Sequence, residues 1–221
     1  MQKCLLLAIF AALLHAPTAR SEANKSTRPS AAVALIREMN LARQHPDVYA
    51  RFLEELRKHF HGKTLVLPGR PKHRTREGIG AVDAAIRFLR RTRPSRPLIL
   101  SPGISMAAAE HVADQADGSL GHSGSDHSSP GDRMNRHGIW SARCGENISY
   151  GIATARDVII ALIIDDGLRA RPHRENIFNP AFNYAGAAVG PHARYDTVCS
   201  MDFAAGYVEG TSNSRSHFAG N

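Results

Sequence analysis

The sequence predicts an α+β domain built around a small antiparallel sheet. Three observations lead there: apolar residues at helical spacing through the first half and again around residues 155–164, proline and glycine punctuation that stops each helix, and two late alternating runs joined by a short turn.

Residues 1–23 read as an export signal. Lys3 gives a positive start, Cys4 to Leu14 is an apolar run of 11 residues, and Ser21-Glu22-Ala23 puts small residues at a cleavage site, after Ala23 or else Ala19. The run is shorter than the roughly 20 residues that span a bilayer, so a cleaved signal is expected rather than an anchor, and a secreted or periplasmic protein. Losing this segment removes Lys3, Arg20 and Glu22 from a chain of formal charge +8. Residues 24–30 form a polar, disordered-looking lead, residues 31–210 the domain, and residues 211–221 a flexible tail.

Within the domain, Ser30 caps a helix carrying Val33, Ile36, Leu41 and Ala42, which Pro46 interrupts, and a second helix carries Val48, Phe52, Leu53 and Leu56. Residues 61–97 form a basic insertion, rich in Arg, Lys, Pro and Gly at both ends around an amphipathic helix from Gly80 to Arg91. Such a run suits anionic lipid or cell-wall polymer, or is a solvated loop with an exposed helix face; the lack of interleaved aromatics argues against single-stranded nucleic acid, and no specific nucleic-acid partner is expected. Ser101-Pro102 caps a helix running to Ala116, with His111 a structural histidine on its apolar face. Residues 121–133 then read as loop, Thr154 caps a helix whose stretch Val158–Ile164 is apolar on every side, and Asp165-Asp166-Gly167 ends it. Tyr184–Gly190 and Tyr195–Phe203 read as a hairpin. Neither an internal repeat nor a phosphate-binding or dinucleotide loop occurs.

Cys144 and Cys199 are the cysteines left after export. An even pair in an oxidising compartment reads as one disulfide; zinc ligation competes but lacks close-spaced partners. Such a bridge would tie the segment Gly145-Glu146-Asn147, read as a loop, to a core strand.

The ordered motifs Gly121-His122-Ser123, Gly145-Glu146-Asn147-Ile148 and His173-Arg174-Glu175-Asn176-Ile177 resemble the CAP superfamily, also called SCP or pathogenesis-related type 1-like, in its bacterial secreted form. Ile164 to Gly167, Phe178-Asn179-Pro180, Gly186, Cys199 and Phe203 extend the likeness over roughly residues 31–207. The resemblance implies a three-layer α-β-α sandwich and a cleft gathering His122, Glu146 and His173, with Asp165 or Asp166 where many members have a second glutamate. It implies that Asn147 and Asn176 pin their loops, with Arg174 beside them, and that the ligand is a sterol or other lipid or a host or cell-envelope component. The histidine that opens many eukaryotic members is missing from Met39-Asn40-Leu41-Ala42-Arg43.

Two neutral imidazoles and a carboxylate suit reversible binding of a divalent metal such as zinc. The expected function is a non-catalytic binding module; the alternative is a metal-assisted hydrolase of peptide or ester bonds with Glu146 as general base. Nothing resembles the two-histidine helix of a zinc protease or a serine nucleophile elbow. His127, His137 and His192 sit among turn residues and read as exposed loop histidines.

Overall fold

The computed structural model describes residues 30–152 and 154–210; the export-signal, lead and tail assignments lie almost entirely outside the described residues. Helix α1 (Ala31–Gln44) starts where the Ser30 hydroxyl accepts from the Val33 amide, and it stops ahead of Pro46, which disfavours helical geometry in the residue before it. Pro46 is the first residue of α2 (Pro46–Arg57), where its missing N–H costs nothing.

The basic segment has its expected helix, and its first part is a ribbon where solvated loop was expected. It forms a three-stranded antiparallel ribbon of β1 (Phe60–His61), β2 (Thr64–Leu65) and β3 (His73–Arg74), followed by α3 (Ile79–Arg91), which buries Ala81, Val82, Ala85 and Leu89. Next come β4 (Ile99–Leu100) and α4 (Pro102–Asp114), capped by Ser101. A 3-10 turn at Gln115–Asp117 ends on Gly118 in left-handed geometry.

Two elements replace expected loop. The Ser129–Asp132 capping box and Pro130 start α5 (Pro130–His137), so the loop after Gly121 ends earlier than its turn-forming residues suggest. Gly145-Glu146-Asn147 lies inside strand β5 (Gly138–Tyr150). Thr154 caps α6 (Ala155–Ile164), α7 (Pro172–Phe178) follows, and the hairpin is β6 (Tyr184–His192) with β7 (Asp196–Glu209).

The main sheet runs β4-β6-β7-β5, with β4 parallel to β6 and the other pairs antiparallel. Strand alternation sends Ala185, Ala187, Cys199, Met201 and Phe203 into a core with α1, α3 and α6. Ile148, Tyr150, Val198 and Ala204 face the opposite layer, where α4 and α5 contribute Ile104, Ala107, Val112 and Met134. The domain is therefore the three-layer α-β-α sandwich. Gly186 lets α4 approach closely, because a Cβ there would collide with the backbone of Ile104 and Ser105.

The Cys144–Cys199 disulfide is not formed; both thiols are free. The register explains why: Cys144 lies opposite Ala204 and Cys199 opposite Ser149. That offset of five residues is roughly 17 Å along a strand, against at most about 7 Å between bridged Cα atoms. Burial pushes the Cys199 thiol up to about 12 and raises Cys144 as well, so neither is a ready thiolate.

Candidate functional site

Strand β5 is a sheet edge, so its residues can be approached around the open side from both faces. Glu146 points to the layer of α4 and α5, and Asn147 to that of α6 and α7. Each face carries one histidine–carboxylate pair.

On the first face, His122 Nδ1 lies 2.7 Å from Glu146 Oε1. Arg133, in the second turn of α5, donates from Nη2 to Glu146 Oε2 at 2.8 Å, and the Ser200 hydroxyl donates to the same oxygen at 3.0 Å. Arg133 Nη1 also donates to the carbonyls of Ser128 at 3.0 Å and His122 at 3.2 Å, so one buried guanidinium fixes both the carboxylate and the loop bearing the imidazole. His111 is the structural histidine expected: its Nε2 lies 2.9 Å from the Gly121 carbonyl, beside Gln115, and 3.8 Å from Glu146 Oε2. Burial holds its pKa down, Glu146 opposing.

Asp202 lies opposite Glu146 in the β5–β7 register, fully buried, with neither carboxylate oxygen hydrogen-bonded. Burial first, then the Glu146 charge, push it well above the usual carboxylate range, with Arg133 pulling the other way.

On the second face, α6 ends at Asp165 in left-handed geometry, φ 55°. Its carboxylate lies 2.7 Å from His173 Nδ1 and accepts the His173 backbone amide at 3.0 Å. Asp166 points away, accepting the amides of Arg76 and Glu77, so Asp165 takes the fourth position. Arg174 donates to the carbonyls of Ile163 and Ile164, completing the α6 C-terminus, and stands over the Phe88 ring. Burial lowers it to about 10.

Asn147 and Asn176 stitch the faces together. Asn147 Nδ2 donates to the His173 carbonyl at 3.0 Å, while Asn176 Nδ2 donates to Asn147 Oδ1 at 2.9 Å and to the Glu146 carbonyl at 3.2 Å. A recess of about 30 Å³ beside His173 is lined by Ser149, Ala161, Leu162 and Asp165, with Ile148 and Tyr150 bordering it along the strand.

The carboxylates are sealed, His122 is open and His173 is largely buried: side-chain exposure is 1% for Glu146 and 0% for Asp165, against 51% for His122 and 11% for His173. Both rings spend Nδ1 on a carboxylate, and no hydrogen bond among the described residues uses either Nε2. A neutral ring held this way carries its proton on Nδ1 and leaves the Nε2 lone pair free, the arrangement that backs metal-ligating histidines. Among the described residues no group of three His, Cys, Asp or Glu side chains is placed to hold a metal ion. The two imidazoles belong to separate histidine–carboxylate pairs, one on each side of the edge strand, and no third protein donor joins either pair among the described residues.

The remaining histidines stay outside. His137 ends α5 and lies 2.6 Å from Glu110, and His127 is exposed with φ 66°. His192 corrects its exposed-loop reading: it is buried, stacked on Tyr195, with Nε2 3.0 Å from the Ser119 carbonyl. Sequence reasoning missed Arg133, Ser200 and Asp202. Asp202 had a signal, a carboxylate in the apolar run Val198–Ala205, and the Ser129–Asp132 capping box announced the helix that carries Arg133.

The model of the CAP family, described as the cysteine-rich secretory protein family, matches residues 84–203, just over half of the chain. The uncharacterized protein YkwD of Bacillus subtilis (strain 168) is 33% identical over 92 residues, 41% of this chain; the chain spans 34% of that relative's length. An extracellular protein containing an SCP domain from Bacillus anthracis str. Ames is similar at 18% identity and TM-score 0.41, over 57% of this chain and 37% of that one. An outer surface protein from Borrelia burgdorferi is similar at 14% identity and TM-score 0.42, over 50% of this chain and 78% of that one. A cysteine-rich secretory protein from Staphylococcus aureus subsp. aureus Mu50 gives 14% identity and TM-score 0.36, over 58% and 38%.

Proposed function

This chain belongs to the CAP, or cysteine-rich secretory protein, family, and from that premise we propose an exported, non-catalytic binding module whose cleft takes up a divalent metal reversibly. The observation that carries this reading is the division of labour in each pair: a buried carboxylate spent on orientation and an imidazole with Nε2 unspent, open at His122 and only slightly exposed at His173. His122 and His173 would hold the ion, Glu146 and Asp165 would fix their tautomers, and Asn147 and Asn176 would hold the two faces in register. A bound zinc would supply a Lewis-acid centre to which a ligand's oxygen or nitrogen attaches. A lipid or sterol ligand rests on the family likeness rather than on the recess beside His173, which at about 30 Å³ is water-sized, and export would put the module among cell-envelope or host components. Among the described residues no helix is long and apolar enough to cross a membrane.

The hydrolase alternative asks Glu146 to take a proton from water. Its Oε2 already accepts from Arg133 and Ser200, its Oε1 faces His122, and its side chain is closed to solvent, which favours the orienting role. Calorimetric titration with zinc, run on the wild type and on His122→Ala/His173→Ala with an unchanged melting transition, tests the reading. Heat that vanishes in the variant supports it; absent heat, or heat that survives, contradicts it. Peptidase or esterase turnover that zinc restores and Glu146→Gln abolishes would move the assignment to the hydrolase.

A further inference from the structure

Between Asp83 and Glu110 the chain has no acidic residue, and this stretch holds Arg87, Arg90, Arg91, Arg93 and Arg96. Arg87 and Arg91 stand one turn apart on the outer face of α3, and Arg90 beside them is paired with Glu54 at 2.6 Å. Arg87, Arg91, Arg93 and Arg96 are exposed, and no side-chain ion pair among the described residues involves them. The strand that follows is also open: Ile99 is 56% and Leu100 37% exposed, at the edge of the main sheet.

The segment is held rigidly. Buried Arg43 donates from Nε to the Arg96 carbonyl at 2.9 Å and its own carbonyl accepts from Ser95. Asn40 makes a reciprocal pair with the Leu98 backbone, at 2.9 and 2.7 Å, and Ile99 donates to the Asn183 carbonyl at 2.7 Å. The guanidinium groups are therefore displayed from a fixed backbone, which reduces the conformational freedom lost on contact.

We propose that the face from Arg87 to Leu100 docks on a phospholipid bilayer carrying anionic headgroups. Arginine forks match headgroup phosphates, while Leu100 on the α3 side of the exposed sheet edge and Ile99 on its other side supply apolar side chains that a bilayer interface accepts and a soluble polyanion does not use. This surface is independent of the His122–His173 cleft.

Sedimentation with vesicles of phosphatidylcholine alone, or mixed with phosphatidylglycerol, tests the proposal on protein recovered after export. A basic residue at an anionic surface contributes roughly fivefold in partitioning, so Arg87→Gln/Arg91→Gln/Arg93→Gln/Arg96→Gln should lose on the order of several hundredfold. Wild type should bind mixed vesicles, release them as salt rises, and ignore phosphatidylcholine alone. Ile99→Ser/Leu100→Ser should weaken vesicle binding and leave polyphosphate binding unchanged. All variants replace exposed side chains, and an unchanged melting transition certifies their folding. Equal binding to both vesicle types, no binding at low salt, or a quadruple variant that binds like wild type overturns the proposal. Vesicle binding that survives in the Ile99→Ser/Leu100→Ser variant and is fully competed by polyphosphate assigns the face to a soluble polyanion instead, and overturns it too.

Discussion

Replacing Arg133 with Met removes the guanidinium that pairs with Glu146 inside the protein. Both side chains are almost fully buried, 2% and 1% exposed, and their contact is 2.8 Å. Breaking one side of such a pair strands a charge and costs about 3–5 kcal/mol. The Ser128 and His122 carbonyls lose their donor as well. For a domain of about 180 described residues, an unfolding entropy near 2.1 cal/mol/K per residue converts that cost into a fall in melting temperature of roughly 8–13 °C. Differential scanning calorimetry at neutral pH reads it directly. The double variant Arg133→Met/Glu146→Gln should recover part of the loss, because no charge is left unpaired. A shift under about 2 °C for Arg133→Met, or strictly additive losses in the double variant, would refute the ion pair as the organiser of this face.

Asp202→Asn should raise the melting temperature at neutral pH. A carboxyl whose folded pKa is raised gives stability that is complete below its unfolded value and is lost as pH rises, so the gain from Asn should shrink as pH falls towards 3.8; a gain independent of pH would contradict this. Gly186→Ala should cost on the order of 3 kcal/mol by driving a methyl group into the α4 backbone, whereas Gly80→Ala, with nothing within 4 Å, should be neutral or stabilising, and chemical denaturation separates the two. Cys144 and Cys199 should both react as free thiols in the unfolded chain, and reductant should leave the melting temperature of the folded protein unchanged; a bridged pair would refute the strand register.

Helix starts were legible because capping chemistry is local: Ser30, Ser101 and Thr154 each accept the amide three residues on. The β6–β7 hairpin was legible from alternation. Strand β5 was hidden, since Gly145-Glu146-Asn147 places polar side chains on both faces of a sheet edge, where tertiary partners rather than hydrophobic pattern satisfy them. The same reason conceals the site's wiring. Residue type and order nominate His122, Glu146 and His173, but the choice of Asp165 over Asp166 depends on the left-handed turn that ends α6, and Arg133 meets Glu146 only through packing of α5 against the sheet. Cysteine count argued for a bridge; strand register, which the count cannot see, forbids it.

Nitrogen-15 NMR of the imidazole rings tests most directly that the cleft presents two oriented histidines. Neutral His122 and His173 are predicted to carry their protons on Nδ1, facing Glu146 and Asp165, with Nε2 unprotonated and shifting on addition of zinc while the signals of His111 and His192 stay in place. Rings protonated on Nε2, or zinc shifts confined to other histidines, would contradict the account.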